Sequence, residues 1–328
     1  MNGRPVLVVV EHDRGELAAA TGEALTAGRA HAAASGAPLI ALTIGTAADE
    51  LAGELGRFGV AEVHQVGDDI LSDYGPEAWG AVVAAAVEQF APSTVLATGT
   101  ERGNEVLAWA AARLDLPMAA NCTVLPDADG QLRRVRWGGS LLEDAALDSS
   151  VTLATLAHHA IEATPADAPT EPAVHELHAE LDASLARTVV RGRVERVAGV
   201  TLATAPVVVG GGRGVGSADA FAPLEELAGL LGGVVGCSRA VTNNGWRNHT
   251  DQVGQTGTRI APTVYLACGI SGAIQHWVGA MAAKNIVAVN TDPEANMVTK
   301  AGYAVIGDLH EVVPAISAEI RRRRDSAH

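Results

Sequence analysis

The sequence predicts an α/β protein of two domains, each a mainly parallel sheet flanked by helices. Three observations carry that expectation. The chain has 328 residues, more than one small module needs and enough for two buried cores. Short β-like apolar runs alternate with helical stretches through the first half of the chain, the grammar of a parallel sheet with crossover helices. After an interruption the alternation resumes near residue 200, and there each strand ends in glycines or small polar residues.

Taken in order, Val6 to Val10 is an apolar strand, and Leu17 to Ser35 is rich in helix-forming alanine. Leu39 to Ile44, Glu62 to Val66 and Thr94 to Ala97 read as further strands, with helices over Ala47 to Phe58, Glu77 to Phe90 and Glu105 to Leu114 between and after them. Beyond Pro117 the pattern turns to strands alone, over Ala119 to Leu125, Leu132 to Trp137 and Val151 to Leu156, with Asp127-Ala128-Asp129-Gly130 as a hairpin turn. Pro165, Pro169 and Pro172 mark 162–172 as an exposed connection, and 187–197 reads as another strand. We place the domain boundary near residue 200, giving domains over 1–200 and 201–328. In the second, strands begin at Val207, Val234, Val264, Ile286 and Ala304, and helices near Ala218, Gly272, Pro293 and Leu309.

Composition excludes several classes of function. With 38 acidic and 23 basic residues the formal charge is -15, which repels a nucleic-acid backbone or an anionic bilayer. Val6 to Val10 is too short for a signal-peptide core, and the longest apolar run, Ala78 to Val87, is half of a membrane span. Cys122, Cys237 and Cys268 are odd in number and lack metal-ligand spacing, so they read as reduced core thiols of a cytoplasmic protein with no metal site.

The chemistry-bearing residues cluster at the strand ends of the second domain. Val207-Val208-Val209 runs into Gly210-Gly211-Gly212-Arg213-Gly214-Val215-Gly216, a strand entering a glycine turn that carries an arginine suited to phosphate. The spacing is not a literal G-x-G-x-x-G, and a tight structural turn accounts for it equally well. Ser238 and Arg239 follow the strand at Val234 and would face the crevice in which open sheets bind ligands, the alternative for Arg239 being a surface ion pair. Gln252-Val253-Gly254-Gln255-Thr256-Gly257 offers amides and hydroxyls to a polar heterocycle or ribityl chain. Gly269-Ile270-Ser271-Gly272-Ala273-Ile274-Gln275-His276 is a second glycine turn entering a helix, with His276 able to donate to a carbonyl that gains charge on reduction. Asn290-Thr291-Asp292-Pro293 and Gly307-Asp308-Leu309 close the remaining strands. Such convergence on one sheet edge fits one extended ligand, a dinucleotide.

The ordered set Gly211 to Gly214, Ser238-Arg239, Gln252 to Gly257, Gly269 to His276, Asn290 to Ala295 and Gly307 to Leu309 closely resembles the α subunit of electron transfer flavoprotein. The resemblance implies a Rossmann-like FAD-binding domain and a heterodimer with a β subunit, itself a candidate carrier of AMP. By analogy Arg213, Ser271 and Asn290 serve the pyrophosphate and adenosine side, and Asp308 and Leu309 close the adenosine end. Ser238 and Arg239 lie near the isoalloxazine ring, Thr256 bonds flavin N5 and His276 faces O2. Gln252, Val253, Gly254 and Gln255, with Gly272, Ala273, Ile274 and Gln275, complete the FAD contacts. The sequence departs from the family over Thr242 to His249, where many relatives carry a proline-containing stretch, and lacks the usual basic residue after Gly216.

The resulting expectation is an electron carrier rather than an enzyme, since no nucleophile–base pair stands out and transfer between proteins needs no catalytic residue. Dehydrogenases such as those oxidising acyl-CoA would be donors and a quinone oxidoreductase the acceptor. The alternatives are a flavin-bifurcating relative fed by NADH, an NAD-binding enzyme on a related fold, and a nucleotide-binding regulatory module.

Overall fold

The computed structural model describes residues 3–45, 48–192 and 200–326. They form two compact units, residues 3–137 with 141–192, and residues 138–140 with 200–326.

In the amino-terminal unit β1 (Val6–Val9) leads through the small hairpin β2 (His12–Asp13) and β3 (Glu16–Leu17) to α1 (Ala19–Ser35). Then follow β4 (Leu39–Ile44), α2 (Ala48–Gly56), β5 (Glu62–Val66), α3 (Pro76–Phe90), β6 (Thr94–Thr98) and α4 (Glu101–Leu114). The unit closes with β7 (Met118–Val124), β8 (Gln131–Arg136), β9 (Leu141–Ala146), β10 (Thr152–Leu156) and β11 (Ala173–Glu176). The sheet runs β11-β5-β4-β1-β6-β10-β7-β8-β9, parallel except where β8 pairs with β7 and β9. Alternation along β1 divides its core: Leu7 and Val9 join one hydrophobic cluster, Val6 and Val8 the other. The Asp127 turn forms as expected, its Oδ1 accepting from the amides of Asp129 and Gln131 at 2.9 Å each, with Gly130 at φ 75°. Sequence reading missed β9 and β11, short and largely exposed strands on the sheet edges. The strand expected over 187–197 is not formed at 187–192, and the rest of it lies outside the described residues.

The carboxyl-terminal unit holds β12 (Val207–Gly211), α5 (Ala222–Leu230), β13 (Val234–Cys237), α6 (Arg239–Asn243), β14 (Val264–Cys268), α7 (Ile274–Ala280), β15 (Asn285–Asn290), α8 (Asn296–Lys300), β16 (Tyr303–Ile306) and α9 (Leu309–Asp325). Its strands lie in the order β13-β12-β14-β15-β16, all parallel. This is the doubly wound pattern, and the order reverses between β12 and β14, where the loops after the two strands splay to opposite sides and leave a crevice. Two clusters cover the faces. Val209, Leu266 and Cys268 pack with Phe221 and Leu309 on one, Val208, Tyr265 and Ala267 with Ile260 and Met297 on the other. All three cysteines are buried and free, as expected. No helix among the described residues is long and apolar enough to cross a membrane.

Candidate functional site

At the carboxyl ends of β12, β13, β14 and β15 lies a cleft of about 610 Å³. It is lined by Arg213, Ser238, Arg239, Ser271, Gly272, Ala273, Gln275, His276 and Asn290 from the expected set, with Gly214, Ala240, Asn243, Gly269, Ile270, Asp292 and Ala295. Four separate connections thus meet at the switch point of a 5-stranded sheet, where the general rule for open α/β sheets puts a ligand.

The glycine run after β12 is accounted for by packing. A Cβ on Gly210 would stand 2.4 Å from the Tyr265 hydroxyl, and one on Gly211 would stand 2.4 Å from the Phe221 ring. One on Gly212 would meet the Gly269 carbonyl oxygen at 2.1 Å, and one on Gly214 the Gly269 Cα at 2.8 Å. The amides of Gly212 and Gly214 then donate to the carbonyls of Cys268 and Gly269 at 2.8 and 3.1 Å. The two glycine turns are therefore pressed together and stitched by backbone hydrogen bonds. What the first turn offers the cleft is the Arg213 side chain.

Ser238 precedes α6 with its amide on the Gly211 carbonyl, and Arg239 begins that helix. Both Arg213 and Arg239 are exposed, and neither pairs with a carboxylate among the described residues. Asn290 ends β15, donating from Nδ2 to the Ile270 carbonyl at 3.1 Å and accepting the Asp292 amide at 3.1 Å, which ties the last two strand ends together.

The 252–257 loop sits against the start of α7. Its anchor is Gln252, 1% exposed, which accepts from the Thr242 hydroxyl at 2.7 Å and donates to the Thr256 hydroxyl at 2.9 Å. Val253 is buried with its amide on the Cys237 carbonyl, and the Gln255 amide donates to the Gln275 carbonyl at 2.7 Å. Gly254 lies so near Gly279 that a Cβ on the latter would be 2.3 Å from the Gly254 Cα. Gln255 and Thr256 stay exposed beside the cleft rather than lining it, and Ile274 is turned outward at 43% exposure. A Gln252→Ala variant should lose about 1–3 kcal/mol with the two hydrogen bonds, at about 0.5–1.5 kcal/mol each. The expected readout is faster amide hydrogen exchange at Gly254 and Gln255, and unchanged exchange there would show that the loop holds itself.

Asp308 and Leu309 stand apart from the cleft lining. Asp308 caps α9, accepting the His310 amide at 2.8 Å, and Leu309 is buried in the core against Gly269. Leu309 thus acts in packing, beneath the second glycine turn.

His276 is the buried member of the set, 6% exposed. Its Nε2 meets the hydroxyl of Tyr265 at 2.7 Å, while Nδ1 has no protein partner. Burial pushes its pKa down to about 4, so the ring is neutral at neutral pH. Sequence reading passed over Tyr265 because it stands in the apolar run of β14. Only tertiary packing reveals its polar partner. Asn243 and Asp292 also line the cleft without having been assigned a contact, the first within the divergent Thr242 to His249 stretch and the second inside the Asn290 motif.

A larger cleft of about 760 Å³ lies in the amino-terminal unit, but its cations are engaged: Arg14 pairs with Asp13 at 3.2 Å and Arg102 lies over the Tyr74 ring. In the same unit Glu23, His158 and His159 bring donor atoms within 4.8 Å of one another. The two imidazoles stack at 3.7 Å, which sets their lone pairs side by side, and Glu23 is already bonded to the His159 amide and Nδ1. This group joins α1 to the segment after β10, a structural contact. The carboxyl-terminal cleft brings together two arginines that pair with no carboxylate among the described residues and the buried, unpartnered Nδ1 of His276.

Comparison with known proteins supplies the family. Residues 201–281 match the electron transfer flavoprotein FAD-binding domain, and residues 6–182 match the electron transfer flavoprotein domain. The chain is 34% identical to the electron transfer flavoprotein subunit alpha of Bacillus subtilis over 325 residues, covering 98% of both chains. It is 35% identical to the same subunit of Mycobacterium leprae over 323 residues, covering 97% of this chain and 98% of that one. It is 36% identical to Protein FixB of Bradyrhizobium diazoefficiens over 340 residues, covering 97% of this chain and 89% of that one.

Proposed function

The chain belongs to the electron transfer flavoprotein alpha subunits, and from that premise we propose that its carboxyl-terminal cleft holds FAD through the residues named above. FAD is the cofactor of the matched domain, the role is electron transfer, and alpha subunits of this family pair with a beta subunit. The finer reading is that dehydrogenases such as those oxidising acyl-CoA supply the electrons and a quinone oxidoreductase takes them.

The observation that carries the cofactor assignment is the donor set of the cleft. Arg213 and Arg239 present guanidinium forks with no carboxylate among the described residues to satisfy them, which suits a pyrophosphate or an electron-rich ring edge. The Nδ1 of His276 is a buried polar atom without a partner, and a carbonyl oxygen of the ring system would supply one. The bound flavin supplies the redox chemistry itself. The chain's part is to bind it at the switch point, to orient it by Asn290, Ser271 and the 252–257 loop, and to keep hydrogen-bond donors beside the ring that gains charge. Arg213, Ser271 and Asn290 take the phosphate and adenosine side in this reading, with Ser238, Arg239, Thr256 and His276 around the ring.

The test is an absorbance spectrum of the chain purified with its beta subunit, followed by stepwise anaerobic reduction. Flavin bands that bleach on reduction are expected, and a complex that stays colourless after incubation with FAD would overturn the reading. Arg239→Ala should weaken FAD retention about 10- to 100-fold, the scale of losing a hydrogen bond to a charged group. Gel filtration against a wild-type control measures it. Equal retention and an unchanged spectrum would remove Arg239 from the contact.

A further inference from the structure

We propose that Tyr265 is a positioning residue that holds His276 as the Nδ1-protonated, neutral tautomer, so that the cleft receives a hydrogen-bond donor and not an exchangeable proton. The inference rests on the reading of the cleft as the FAD site and adds a residue to it.

Tyr265 is fully buried on β14, facing the same cluster as Val208 and Ala267. Its hydroxyl has one hydrogen-bonding partner among the described residues, Nε2 of His276 at 2.7 Å. Two arrangements of that bond are conceivable. If Nε2 carried the proton and donated to the tyrosine oxygen, the tyrosine proton would be left buried without an acceptor and Nδ1 would be left as an unpaired acceptor. If the tyrosine donates to Nε2, every proton of the pair is placed except that on Nδ1, the nitrogen left without a protein partner. Each arrangement leaves one buried donor free, at a cost of about 1–3 kcal/mol, but the first also strands an acceptor. In the second the free donor belongs to the side chain that lines the cleft, where a ligand oxygen can accept it, so the second is favoured. Burial also raises the tyrosine's pKa well above its ordinary value, which keeps the hydroxyl a donor.

The surroundings are built for this bond. Gly210 on the neighbouring strand leaves the space that the tyrosine hydroxyl occupies; any Cβ there would lie 2.4 Å from it. On the other side His276 lies one turn into α7, its amide on the Ala273 carbonyl at 2.9 Å, which fixes where the ring starts. No other titratable side chain among the described residues hydrogen-bonds to either ring. The pair is therefore sealed from bulk proton exchange on its Tyr265 side, and Nδ1 is fixed as a donor over the range in which His276 is neutral.

The experiment uses the complex with its beta subunit and FAD. Nitrogen-15 NMR of histidine-labelled protein at pH 7, with the His276 signal assigned by loss in His276→Asn, reads the tautomer directly. A protonated Nδ1 with an unprotonated Nε2 is expected in the wild type. A protonated Nε2, or an imidazolium, would overturn the proposal. In Tyr265→Phe the enforced tautomer is lost, and the preference of the site for reduced over oxidised FAD should fall about tenfold, a potential about 59 mV lower for a one-electron step. In a His276→Asn background the same substitution should leave the potential unmoved. An equal shift in both backgrounds would assign Tyr265 a purely structural role and overturn the inference. Absence of flavin from the wild-type complex would instead overturn the cofactor reading on which it stands.

Discussion

A Gly212→Ala variant should lose FAD and several kilocalories of stability, although the substitution adds one methyl group. The backbone of Gly212 has φ -104° and ψ -168°, extended angles that alanine adopts freely, so no conformational strain is involved. The cost is contact alone. The new Cβ would lie 2.1 Å from the Gly269 carbonyl oxygen and 2.7 Å from the Ile270 Cα, and both obstacles are backbone that cannot swing aside. The turns after β12 and β14 would have to separate, breaking the bonds from Gly212 to Cys268 and from Gly214 to Gly269. Overpacking with lost hydrogen bonds of this kind costs about 3–5 kcal/mol. Gly216 gives the internal control. It has φ 90° and ψ -34°, with open space where a Cβ would go, so Gly216→Ala should cost about 1–3 kcal/mol of backbone strain and leave the two turns in contact. Urea unfolding and flavin retention of the two variants measure the difference. Equal stability, or retention of FAD by Gly212→Ala, would show that the two turns are not held at the distance described.

The same glycines show how far the sequence could be read. The strands of both sheets lie close to where apolar runs and flanking turns put them, because each run is a row of side chains that one sheet position buries on both faces. Val6 to Val9 and Val207 to Val209 are legible for that reason. β9 and β11 were not, since Leu141 and Leu142 are more than half exposed and Ala173 to Glu176 is exposed throughout. An edge strand is defined by its hydrogen-bonding neighbour, and a single segment carries no trace of one. In the cleft, residue type identified Arg213, Ser238, Ser271 and Asn290, whose chemistry shows in a strand-end motif. It could not separate a glycine that admits a ligand from one that admits a neighbouring part of the chain, and Gly210, Gly211 and Gly212 are of the second kind, making room for the Tyr265 side chain, the Phe221 ring and the turn after β14. Leu309 looked like part of a motif and is core. Tyr265 looked like core and is half of a polar pair.

Stability on the acid side should depend on His276, and the sign follows from its burial. Its pKa is about 4 in the folded chain against an ordinary 6.5, because desolvation penalises the charged ring. Above pH 6.5 neither folded nor unfolded chain protonates it, and its contribution is present in full. As pH falls from 6.5 to 4 the unfolded chain takes up a proton that the folded chain refuses, so stability drops by about 1.4 kcal/mol per pH unit, about 3 kcal/mol in all. Below pH 4 the loss is complete. Burial lowers His12, His31 and His64 as well, so the amino-terminal unit tilts in the same direction. The contribution of His276 is isolated by comparing wild type with His276→Gln, whose amide can still meet the Tyr265 hydroxyl and has no proton to gain. Urea midpoints of the FAD-free chain with its beta subunit, taken at pH 7.5, 6 and 5, should fall more steeply in the wild type than in the variant. Parallel slopes would mean that the ring is charged, or reached by water, in the folded chain. Neutrality also bears on the proposed function: a ring that does not titrate between pH 5 and 8 offers the same hydrogen bond across that range, so His276 should add no pH dependence to the potential of the bound flavin.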